Sequence, residues 1–338
     1  MSILPIFIPH AGCPHQCIFC NQRTISGQKT AALAGAKTQI ARWLEWLRPD
    51  IRNEAAFYGG SFTGLDLGLQ RRLLELTDEL IARGVVGSVR LSTRPDYIDE
   101  ERLALLKEHG VRLVELGVQS LDDAVLNASG RGHSAEQVYR AHVLLRQSGF
   151  QTGVQLMVGL PLQDWRSVQQ TAALAAALRP DVARIYPVLV IKDTPLAEQY
   201  AAGSYAPLML EEAVAQSAEV YEALTQADVQ VIRIGLQPDE ELCAPGNILA
   251  GPFHPSMGEL VKSRALRRRL TPRLQSLAER GVRYVEARCP ARLQSQLRGL
   301  KSCNLSYWQQ TLPQLTLRIT LCDGEEIKLC PSANPLRP

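Results

Sequence analysis

The strongest constraint on the fold of this chain is the alternation of short apolar segments with helical segments along its first 235 residues. Strands that alternate with helices form βαβ units with parallel strands. Six or more units predict a full or partial βα-barrel, and a doubly wound open sheet is the alternative, because the pattern does not decide closure. We predict strands over 3–8, 55–59, 89–93, 111–117, 151–159, 182–188 and 229–235, and helices over 36–48, 67–83, 99–109, 134–147, 164–178 and 208–227.

The sequence changes character near residue 236, and we predict a domain boundary there, with a barrel over 1–235 and a basic extension over 236–338. The extension opens with a segment rich in proline and glycine, which predicts an ordered loop or lid ahead of a basic helix. Residues 283–289 predict a strand, and 315–329 predict a β-hairpin that turns at Asp323-Gly324. These elements make a smaller α/β appendage.

The composition is that of a globular protein, because 46% of the 338 residues are apolar and 21% are charged. No apolar run reaches the roughly 18 residues of a membrane span. The start MSILPIFIPHAG lacks the basic region of a signal peptide. Eight cysteines without a secretion signal favour reduced thiols, so we predict a cytoplasmic protein without a membrane partner.

Three of the cysteines lie within eight positions of the segment AGCPHQCIFCN, which directly follows the first predicted strand. They are Cys13, Cys17 and Cys20. Three thiolates suit a soft metal centre, whereas structural zinc requires a fourth ligand. A [4Fe–4S] cluster on three cysteines leaves one iron open to a substrate or cofactor. The alternative is a set of buried thiols or half of a zinc site.

The motif C-x3-C-x-aromatic-C, in which Phe19 is the aromatic residue, resembles the cluster motif of the radical S-adenosylmethionine (SAM) superfamily. The resemblance implies a partial (βα)6-type barrel and a [4Fe–4S] cluster on the three cysteines. It also implies SAM bound to the open iron through its amino and carboxylate groups, with Phe19 in contact with the cofactor. It further implies reductive cleavage of SAM to a 5′-deoxyadenosyl radical that abstracts hydrogen. An electron donor such as flavodoxin or ferredoxin is the expected partner.

Three further motifs resemble the SAM-binding segments of that superfamily. Tyr58-Gly59-Gly60-Ser61, after the second strand, resembles the Gly-Gly motif whose backbone meets the SAM ammonium; the alternative is a simple turn. LGVQSLDDAVLNASGRGH (116–133) resembles relatives of oxygen-independent coproporphyrinogen III oxidase, which implies that Gln119 contacts ribose and Arg131 the SAM carboxylate. QLMVGLPLQD (155–164) resembles the adenine-flanking element, with Gln155 at the position of a ribose-contacting acid.

Other polar and aromatic residues in these motifs receive no firm role. His133 can be a polar turn residue, and we assign it no function. Tyr186, near the end of the sixth strand, can face the cavity or belong to the core. No acid–base pair can be nominated from the sequence, and radical chemistry does not require one.

The segments ELGVQS, VIRIGLQPDEEL and LAGPFHPSMGELVKSR resemble the radical SAM domain of the Elongator catalytic subunit, a wobble-uridine tRNA modifier, over roughly residues 1–270. Two departures matter. That subunit has a longer cysteine spacing, and it continues into an acetyltransferase domain, for which the roughly 70 residues after the basic segment are too few. We therefore expect no acetyl transfer by this chain alone.

The distribution of charge independently favours RNA. Residues 1–235 carry 22 basic and 25 acidic residues, whereas 236–338 carry 15 and 9. Arg264, Arg267 and Arg268 fall on one face of a predicted helix, where they could follow phosphates; a solvated charged helix is the default interpretation. We expect tRNA as a partner and no DNA.

Three functions remain in competition. The first, which we favour, is a radical SAM enzyme that modifies RNA, with a tRNA wobble uridine as the expected target. The second is a radical SAM enzyme that acts on a small molecule or a porphyrin. The third is a non-enzymatic haem carrier, since relatives of the porphyrinogen oxidase resemble haem-trafficking proteins that keep the cluster motif. The basic C-terminal half favours the first, although carboxylated small substrates also bind arginine.

The remaining cysteines do not form a second metal motif. The spacings of Cys289, Cys303, Cys322 and Cys330 match no short metal-binding pattern, and we interpret these residues as free buried thiols. The role of Cys243 is not indicated by the sequence.

Overall fold

A computed structural model describes residues 2–14, 17–26, 31–47, 53–238 and 240–332. The strands are β1 (Ser2–Phe7), β2 (Asn53–Tyr58), β3 (Ser88–Thr93), β4 (Val111–Gln119), β5 (Gln151–Val158), β6 (Val182–Pro187), β7 (Val190–Ile191), β8 (Gln230–Ile234), β9 (Ile248–Ala250), β10 (Tyr284–Pro290), β11 (Thr316–Cys322) and β12 (Lys328–Ser332).

The helices follow the predicted rhythm. They are α1 (Gln22–Ser26), α2 (Ala32–Leu44), α3 (Leu67–Ala82), α4 (Glu100–Glu108), α5 (Asp123–Ala128), α6 (Ala135–Gln147), α7 (Trp165–Leu178), α8 (Pro195–Ala201), α9 (Leu210–Gln226), α10 (Met257–Glu279), α11 (Gln294–Arg298) and α12 (Cys303–Thr311). Short 3-10 helices lie at Phe62–Gly64, Pro95–Tyr97, Ala291–Leu293 and Leu300–Ser302. Side-chain N-caps fix several helix starts, such as Asp66 before α3 and Ser134, with a capping box, before α6.

Seven parallel strands form one sheet in the order β1-β2-β3-β4-β5-β6-β8. Strands β1 and β8 lie at its two edges, so the sheet is a curled partial barrel, as predicted. Alternate residues of each strand face the helices, and they form the largest apolar core, with Phe57 and Leu91 among its fully buried members. The opposite face of the sheet is the inner face of the barrel, and it carries polar and charged side chains.

The segment rich in proline and glycine after β8 is ordered in its described part, as predicted. Strand β9 pairs with β7 in the antiparallel direction. Leu242 is fully buried in a small cluster with Leu189 and Ile191, and Ile25 from α1 packs against the same cluster. Helix α1 begins two residues after Cys20, so the packing of Ile25 holds the segment after β8 beside the cysteine loop.

The C-terminal appendage forms its own three-stranded sheet in the order β11-β10-β12. Strand β10 pairs with β11 in parallel and with β12 in the antiparallel direction. The predicted hairpin at Asp323-Gly324 is therefore wrong, because β10 lies between the two strands that the hairpin would have joined. Strand β10 takes the centre because Val285, Ala287 and Cys289 are fully buried in the second apolar core.

Helix α10 connects the barrel to the appendage. Its first half contributes Met257 and Val261 to the barrel core, and its second half contributes Leu270 and Leu274 to the appendage core. A division of the chain at residues 235 and 236 stays our proposal, with α10 as the shared element. No helix in the described ranges combines the length and the apolar composition that a membrane span requires.

Candidate active site

The cysteine loop follows β1 and is hydrogen-bonded to two other parts of the barrel. The Ile18 amide donates to the Ser129 carbonyl (3.3 Å), and the Ile18 carbonyl accepts from the Leu196 amide (2.8 Å). The Cys20 amide donates to the Cys17 carbonyl (3.1 Å), which closes the second half of the loop. These backbone bonds hold the described residues of the loop at the carboxyl end of the sheet, where active sites of α/β folds lie.

The three cysteines lie in different environments. Cys17 is buried, whereas Cys13 and Cys20 are half-buried. Burial raises the pKa of the Cys13 thiol, and the neighbouring Cys17 raises it further. Burial, again with Cys17, raises the pKa of the Cys20 thiol to about 12, although Gln22 donates to its sulfur (3.4 Å). Metal binding must therefore displace protons from these two thiols.

Phe19, which lies between two of these cysteines, packs into an apolar cluster and is half-buried. The cluster contains Val125, Leu160 and Leu196, from three different segments of the barrel. This contact fixes the chain direction between Cys17 and Cys20. The predicted contact of Phe19 with a cofactor stays a prediction.

Arg131 connects the cysteine loop to the end of β4. Its Nη1 donates to the Cys17 sulfur (3.1 Å), and its Nη2 donates to the Gly117 carbonyl. Gly117 permits this approach, because a Cβ there would lie 3.2 Å from Arg131 Nη2. Arg131 is 5% exposed, and its Nε has no hydrogen-bond partner. The structure therefore brings together two residues that are 114 positions apart in the sequence.

The Gly59-Gly60 turn lies directly against the cysteine loop. The His10 amide donates to the Gly59 carbonyl (2.9 Å), and the Ser61 amide donates to the Ala11 carbonyl (2.9 Å). Gly59 has φ +87°, and a Cβ on Gly60 would lie 2.4 Å from the Ala11 carbonyl oxygen. Glycine is thus required here by the packing of two backbone segments, whatever ligand approaches them.

Ser61 is fully buried, and its hydroxyl is already engaged inside the protein. It lies 3.1 Å from the Thr93 hydroxyl, and it accepts from the Arg94 amide (3.2 Å). These bonds give Ser61 a structural role between β2 and β3. The predicted cofactor contact of Ser61 stays untested.

Two glutamines of the predicted SAM site lie on the inner face of the barrel. Gln119 is 7% exposed with φ +67°, at a register shift between β4 and β5, so its backbone is held in a conformation rare for this residue type. Gln155 donates from Nε2 to the Ser92 hydroxyl (3.1 Å). The structure places both side chains towards the carboxyl ends of their strands, on the same side of the sheet as Gly117.

A buried network of charges lies on the inner face below these glutamines, and the sequence analysis missed it. Glu115 accepts from Arg90 (2.8 and 3.1 Å) and from Arg184 (2.5 and 3.2 Å). Arg90 also pairs with Glu54 (3.2 Å), and Arg184 donates to the Tyr58 hydroxyl (2.9 Å). Burial raises the pKa of Tyr58, although Arg184 opposes the shift.

The signal for this network was present in the sequence. Arg90, Glu115 and Arg184 each occupy the middle of a strand that is otherwise apolar, in VRLST, VRLVELG and VARIYPV. A charged residue in a buried strand is rare unless it is paired. Tyr186 shares the inner face with Arg184, two residues earlier on the same strand.

Arg94 and His133 form a second buried feature that the sequence did not predict. Arg94 donates to both Asp96 oxygens (2.9 and 2.7 Å) and to the Arg131 carbonyl (2.5 Å). Burial and the charges of Arg131 and Arg94 lower the pKa of His133 to about 3. Its contact with the Val118 carbonyl falls short of hydrogen-bond geometry, so both ring nitrogens lack a partner of good geometry.

A cleft of about 700 Å³ opens beside the cysteine loop. This volume lies within the range of small-molecule sites. Asn21 donates to the Lys192 carbonyl (3.0 Å), and this bond joins two walls of the cleft. Its lining is His10, Cys13, Pro14, Cys20, Asn21, Arg23, Thr24, Lys192, Asp193, Glu241 and Asn247.

Two sequence-family models match consecutive parts of the chain. The model of the radical SAM superfamily matches residues 7–175, which is half of the chain, and the model of the radical SAM C-terminal domain matches residues 180–267. The chain belongs to the radical SAM superfamily. It is therefore an enzyme, with the partial barrel that its sequence predicted.

Curated relatives of this radical SAM enzyme include tRNA uridine(34) acetyltransferases and Elongator complex protein 3. The chain is 26% identical over 255 residues to a tRNA uridine(34) acetyltransferase of Methanocaldococcus infernus, covering 63% of this chain and 48% of that protein. It is 34% identical over 134 residues to human Elongator complex protein 3, covering 38% and 24%. The chain thus spans about half or less of the length of these relatives. The solved archaeal M. infernus Elp3 has the same fold, with TM-score 0.62 and 24% identity, over 80% of this chain and 64% of that one.

The residues of the site fit the cofactors of the superfamily, a [4Fe–4S] cluster and SAM. A cluster with one open iron needs three thiolates, and the described part of the cysteine loop offers the three thiols of Cys13, Cys17 and Cys20. Among the described residues, no three His, Cys, Asp or Glu side chains are placed so that they could hold one metal ion. A [4Fe–4S] cluster is larger and would bind each cysteine at a different iron. The buried and unpaired Nε of Arg131 is a donor suited to a carboxylate.

The three arginines predicted to contact nucleic acid interact with neighbouring side chains in the structure. Arg264 pairs with Glu211 of α9, and Arg268 pairs with Glu219 (2.6 Å) and Glu222 (3.2 Å) of the same helix. The Arg267 guanidinium lies 4.4 Å from the centre of the Tyr307 ring. These arginines join α10 to its neighbours, because α10 packs along α9, which the sequence pattern did not reveal. Their contact with nucleic acid stays a prediction without structural support.

The cysteines outside the loop are free thiols, as predicted, but only one of them is buried. Cys289 lies in the appendage core, Cys243 and Cys303 are exposed, and Cys322 and Cys330 are half-buried. The interpretation of the late cysteines as buried thiols is therefore wrong for Cys303, which lies at the start of α12 on the surface.

Proposed function

We propose that this radical SAM enzyme modifies a uridine base of tRNA. The observation that carries the proposal is the similarity to a tRNA uridine(34) acetyltransferase along 63% of the chain. This similarity extends well beyond the cysteine motif that all superfamily members share. Because the chain spans only about half of that relative, the proposal concerns the radical step and not acetyl transfer.

The cysteine loop would hold the cluster through Cys13, Cys17 and Cys20, and the end of the barrel would hold SAM. Bound there, the cluster and SAM would supply the radical chemistry of the superfamily, which is the abstraction of a hydrogen atom from the substrate. Arg131 donates to Cys17 with one nitrogen and keeps Nε for the SAM carboxylate. Gly59 and Gly60 bring the backbone close to the loop, where it can contact the SAM ammonium.

The glutamines would complete the SAM site. Gln119 and Gln155 offer amide groups on the inner face, suited to the ribose hydroxyls. Tyr58 is held in place by Arg184 from below, so the turn that follows it has a fixed starting point. Phe19 and Ser61 support this arrangement through packing and hydrogen bonds.

The lining of the cleft favours a polar substrate over a porphyrin. Among its described lining residues, Pro14 is the apolar side chain, and the others are charged, polar or thiol groups. Arg23 and Lys192 contribute positive charge, and Asp193 and Glu241 contribute negative charge. A nucleoside can form hydrogen bonds with these groups, whereas the ring of a porphyrin cannot, although porphyrin carboxylates could bind Arg23 and Lys192. This observation weakens both the porphyrin alternative and the haem-carrier alternative.

The partners of the reaction follow from the proposal. We expect tRNA as the macromolecular substrate and an electron donor such as flavodoxin or ferredoxin. Both expectations rest on the family and on the named function of its relatives.

The experiment that tests the proposal measures 5′-deoxyadenosine in an anaerobic assay of the iron-reconstituted protein with SAM and dithionite. We expect formation of 5′-deoxyadenosine to rise when bulk tRNA is added, and mass spectrometry of the digested tRNA to reveal a changed uridine. Cleavage that ignores tRNA would refute the RNA substrate and favour a small molecule. Absent cleavage with a haem-binding difference spectrum would favour the carrier.

Two variants make the assay specific for the cysteine loop. Cys17→Ala should abolish cluster absorbance and SAM cleavage, since Cys17 is the buried cysteine that Arg131 contacts. Cys243→Ala is the matched control, because it removes an exposed thiol outside the loop. Equal loss in both variants would argue against the assignment.

A further inference from the structure

The small sheet of the appendage is packed on one face and accessible on the other. Its packed face carries Val285 and Ala287 of β10 into a core with Trp308 of α12. Its other face carries Tyr284, Glu286 and Arg288 of β10, Arg318 and Thr320 of β11, and Lys328 of β12. We call these six residues the open sheet face. The Arg288 side chain is 55% exposed, and Lys328 is exposed as well.

The register of the strands places like charges side by side on this face. Arg288 and Lys328 are direct partners on the antiparallel strands β10 and β12. Two cations in this position repel each other and destabilise the strand pair. Arg318 is the direct partner of Glu286 on the other side of β10. The three cations thus cross all three strands of the sheet.

One carboxylate on the face does not neutralise these cations. Glu286 accepts from the Arg288 Nε (2.9 Å) and from the Thr320 hydroxyl (2.9 Å). Both hydrogen bonds lower the pKa of Glu286, so it is ionised at neutral pH. Glu286 balances one of the three cations, so the six residues of the open sheet face keep two positive charges in excess.

The appendage carries a positive charge of its own, in addition to that of the basic helix. Arg264 and Arg268 are compensated by glutamates of α9. Residues 280–332 carry eight basic and four acidic residues. Repulsion between the neighbouring cations of the open sheet face destabilises the sheet. An anionic partner bound on this face would offset that repulsion, which explains why the face is cationic.

We propose that the open sheet face is a docking surface for the backbone phosphates of RNA. The occupant rests on the proposed function, which makes tRNA the polyanion that the enzyme must hold. Arg288, Arg318 and Lys328 supply phosphate contacts, and Thr320 adds a neutral donor. Such contacts position a nucleic acid without reading its sequence, so the surface orients the tRNA while the cleft selects the base.

The test is a tRNA-binding measurement on the reconstituted full chain, by fluorescence anisotropy of labelled bulk tRNA over a range of salt concentrations. The test variant combines Arg288→Gln, Arg318→Gln and Lys328→Gln. The control variant combines Lys37→Gln, Arg42→Gln and Arg112→Gln, three exposed cations on the barrel. Both variants lose the same total charge, so a difference between them reports the location of the contacts.

We expect the test variant to bind tRNA about tenfold or more weakly, and its slope of log K against log salt to fall by about two. The control variant should stay within about twofold of the original protein. SAM cleavage without tRNA should be unchanged in both variants. Equal melting temperatures of the two variants would show that neither change unfolds the appendage.

Three outcomes would overturn the inference. The first is equal tRNA affinity in the test and control variants; tRNA-stimulated cleavage by the original protein would then still support the proposed function. The second is absence of tRNA binding by the original protein. The third is binding of poly-glutamate as tight as that of tRNA, lost in parallel in the test variant, which would indicate an acidic protein partner. If tRNA binds through the face but does not stimulate cleavage, the proposed function fails and the docking surface stands.

Discussion

Replacing Glu115 by glutamine should destabilise the barrel strongly, because it leaves buried cations without their shared counter-charge. Glu115 is fully buried at the centre of four hydrogen bonds from Arg90 and Arg184. Together with Glu54, the set contains two positive and two negative charges. Glu115→Gln keeps the shape of the side chain but leaves one positive charge in excess inside the barrel.

The magnitude follows from the bonds that are lost. Each charge-assisted hydrogen bond contributes about 1.5–3 kcal/mol, and four of them set an upper limit of about 6–12 kcal/mol. Relaxation and entry of water reduce this figure, and loss of one partner of a buried pair costs about 3–5 kcal/mol. Because domains are stable by only about 5–15 kcal/mol, we expect Glu115→Gln to lose roughly a fifth or more of the stability.

A double replacement separates this charge effect from a general loss of packing. Glu115→Leu combined with Arg184→Met removes one charge of each sign and leaves Arg90 paired with Glu54. Buried ion pairs that are replaced by apolar residues of similar size are often neutral in stability. We therefore expect the double variant to be more stable than Glu115→Gln alone, although it also removes the bond from Arg184 to Tyr58.

The assay is urea unfolding followed by tryptophan fluorescence, with the midpoints compared at constant slope. Glu108→Gln is the matched control, since its pair with Arg71 (3.5 Å) has side chains that are 61% and 49% exposed. That control should cost less than about 1 kcal/mol. A Glu115→Gln variant no less stable than this control would refute the reasoning. A double variant less stable than the single variant would refute the electrostatic explanation.

Three further predictions concern the rim of the barrel. Gly60→Ala forces a methyl group against the Ala11 carbonyl oxygen at 2.4 Å, costs about 1–3 kcal/mol, and should lower the iron content after reconstitution. The folded chain holds His133 neutral down to pH about 3, whereas the unfolded chain takes up the proton below 6.5, so stability falls on acidification. At pH 5.5 the loss relative to pH 7.5 is about 1.4 kcal/mol, and His133→Asn should remove it in urea unfolding. Arg94→Lys removes the two-nitrogen contact with Asp96 and the hydrogen bond from Nη2 to the Arg131 carbonyl. It should weaken SAM binding in equilibrium dialysis by about tenfold.

These three predictions have clear contradicting results. Gly68→Ala is the control for Gly60, because a Cβ at this helical position would lie 3.2 Å from the Asp66 side chain and clear of any backbone atom. Equal iron content in both variants would contradict the packing argument. For His133, an unchanged dependence of stability on pH would contradict the assigned pKa. For Arg94, normal SAM affinity in a folded variant would show that Arg131 does not depend on it.

The sequence predicted the barrel well because the determinants of its strands are local. Each of the seven sheet strands contains a run of apolar residues that alternates with a helix, and helix starts such as Asp66 and Ser134 carry capping side chains. The cysteine spacing is likewise a local signal, and the assignment of its three thiols as cluster ligands stays a prediction. By contrast, the bounds of α2 lie four residues before the predicted ones, since no capping hydrogen bond marks its start.

The wrong hairpin prediction and the features that the sequence did not reveal all depend on contacts between distant segments. The Asp323-Gly324 turn favours a hairpin locally, but the apolar strand β10 separates the two strands in space. The arginines of α10 are compensated by Glu211, Glu219 and Glu222, about 50 residues earlier in the chain. No motif in the sequence marks Arg94, and its contact with the Arg131 carbonyl is visible only in the folded chain.

The position of the charges along the strands explains why the barrel interior can serve as a site. Arg90, Glu115 and Arg184 lie in the middle of their strands, and with Glu54 they form an electroneutral set. Towards the carboxyl ends the inner face carries neutral amide and hydroxyl groups. The cation that contacts Cys17 is Arg131, whose Nε is unpaired and whose carbonyl is held by Arg94. Because the charges below cancel, Arg131 adds a net positive charge beside Cys17, where a bound carboxylate would lower the energy.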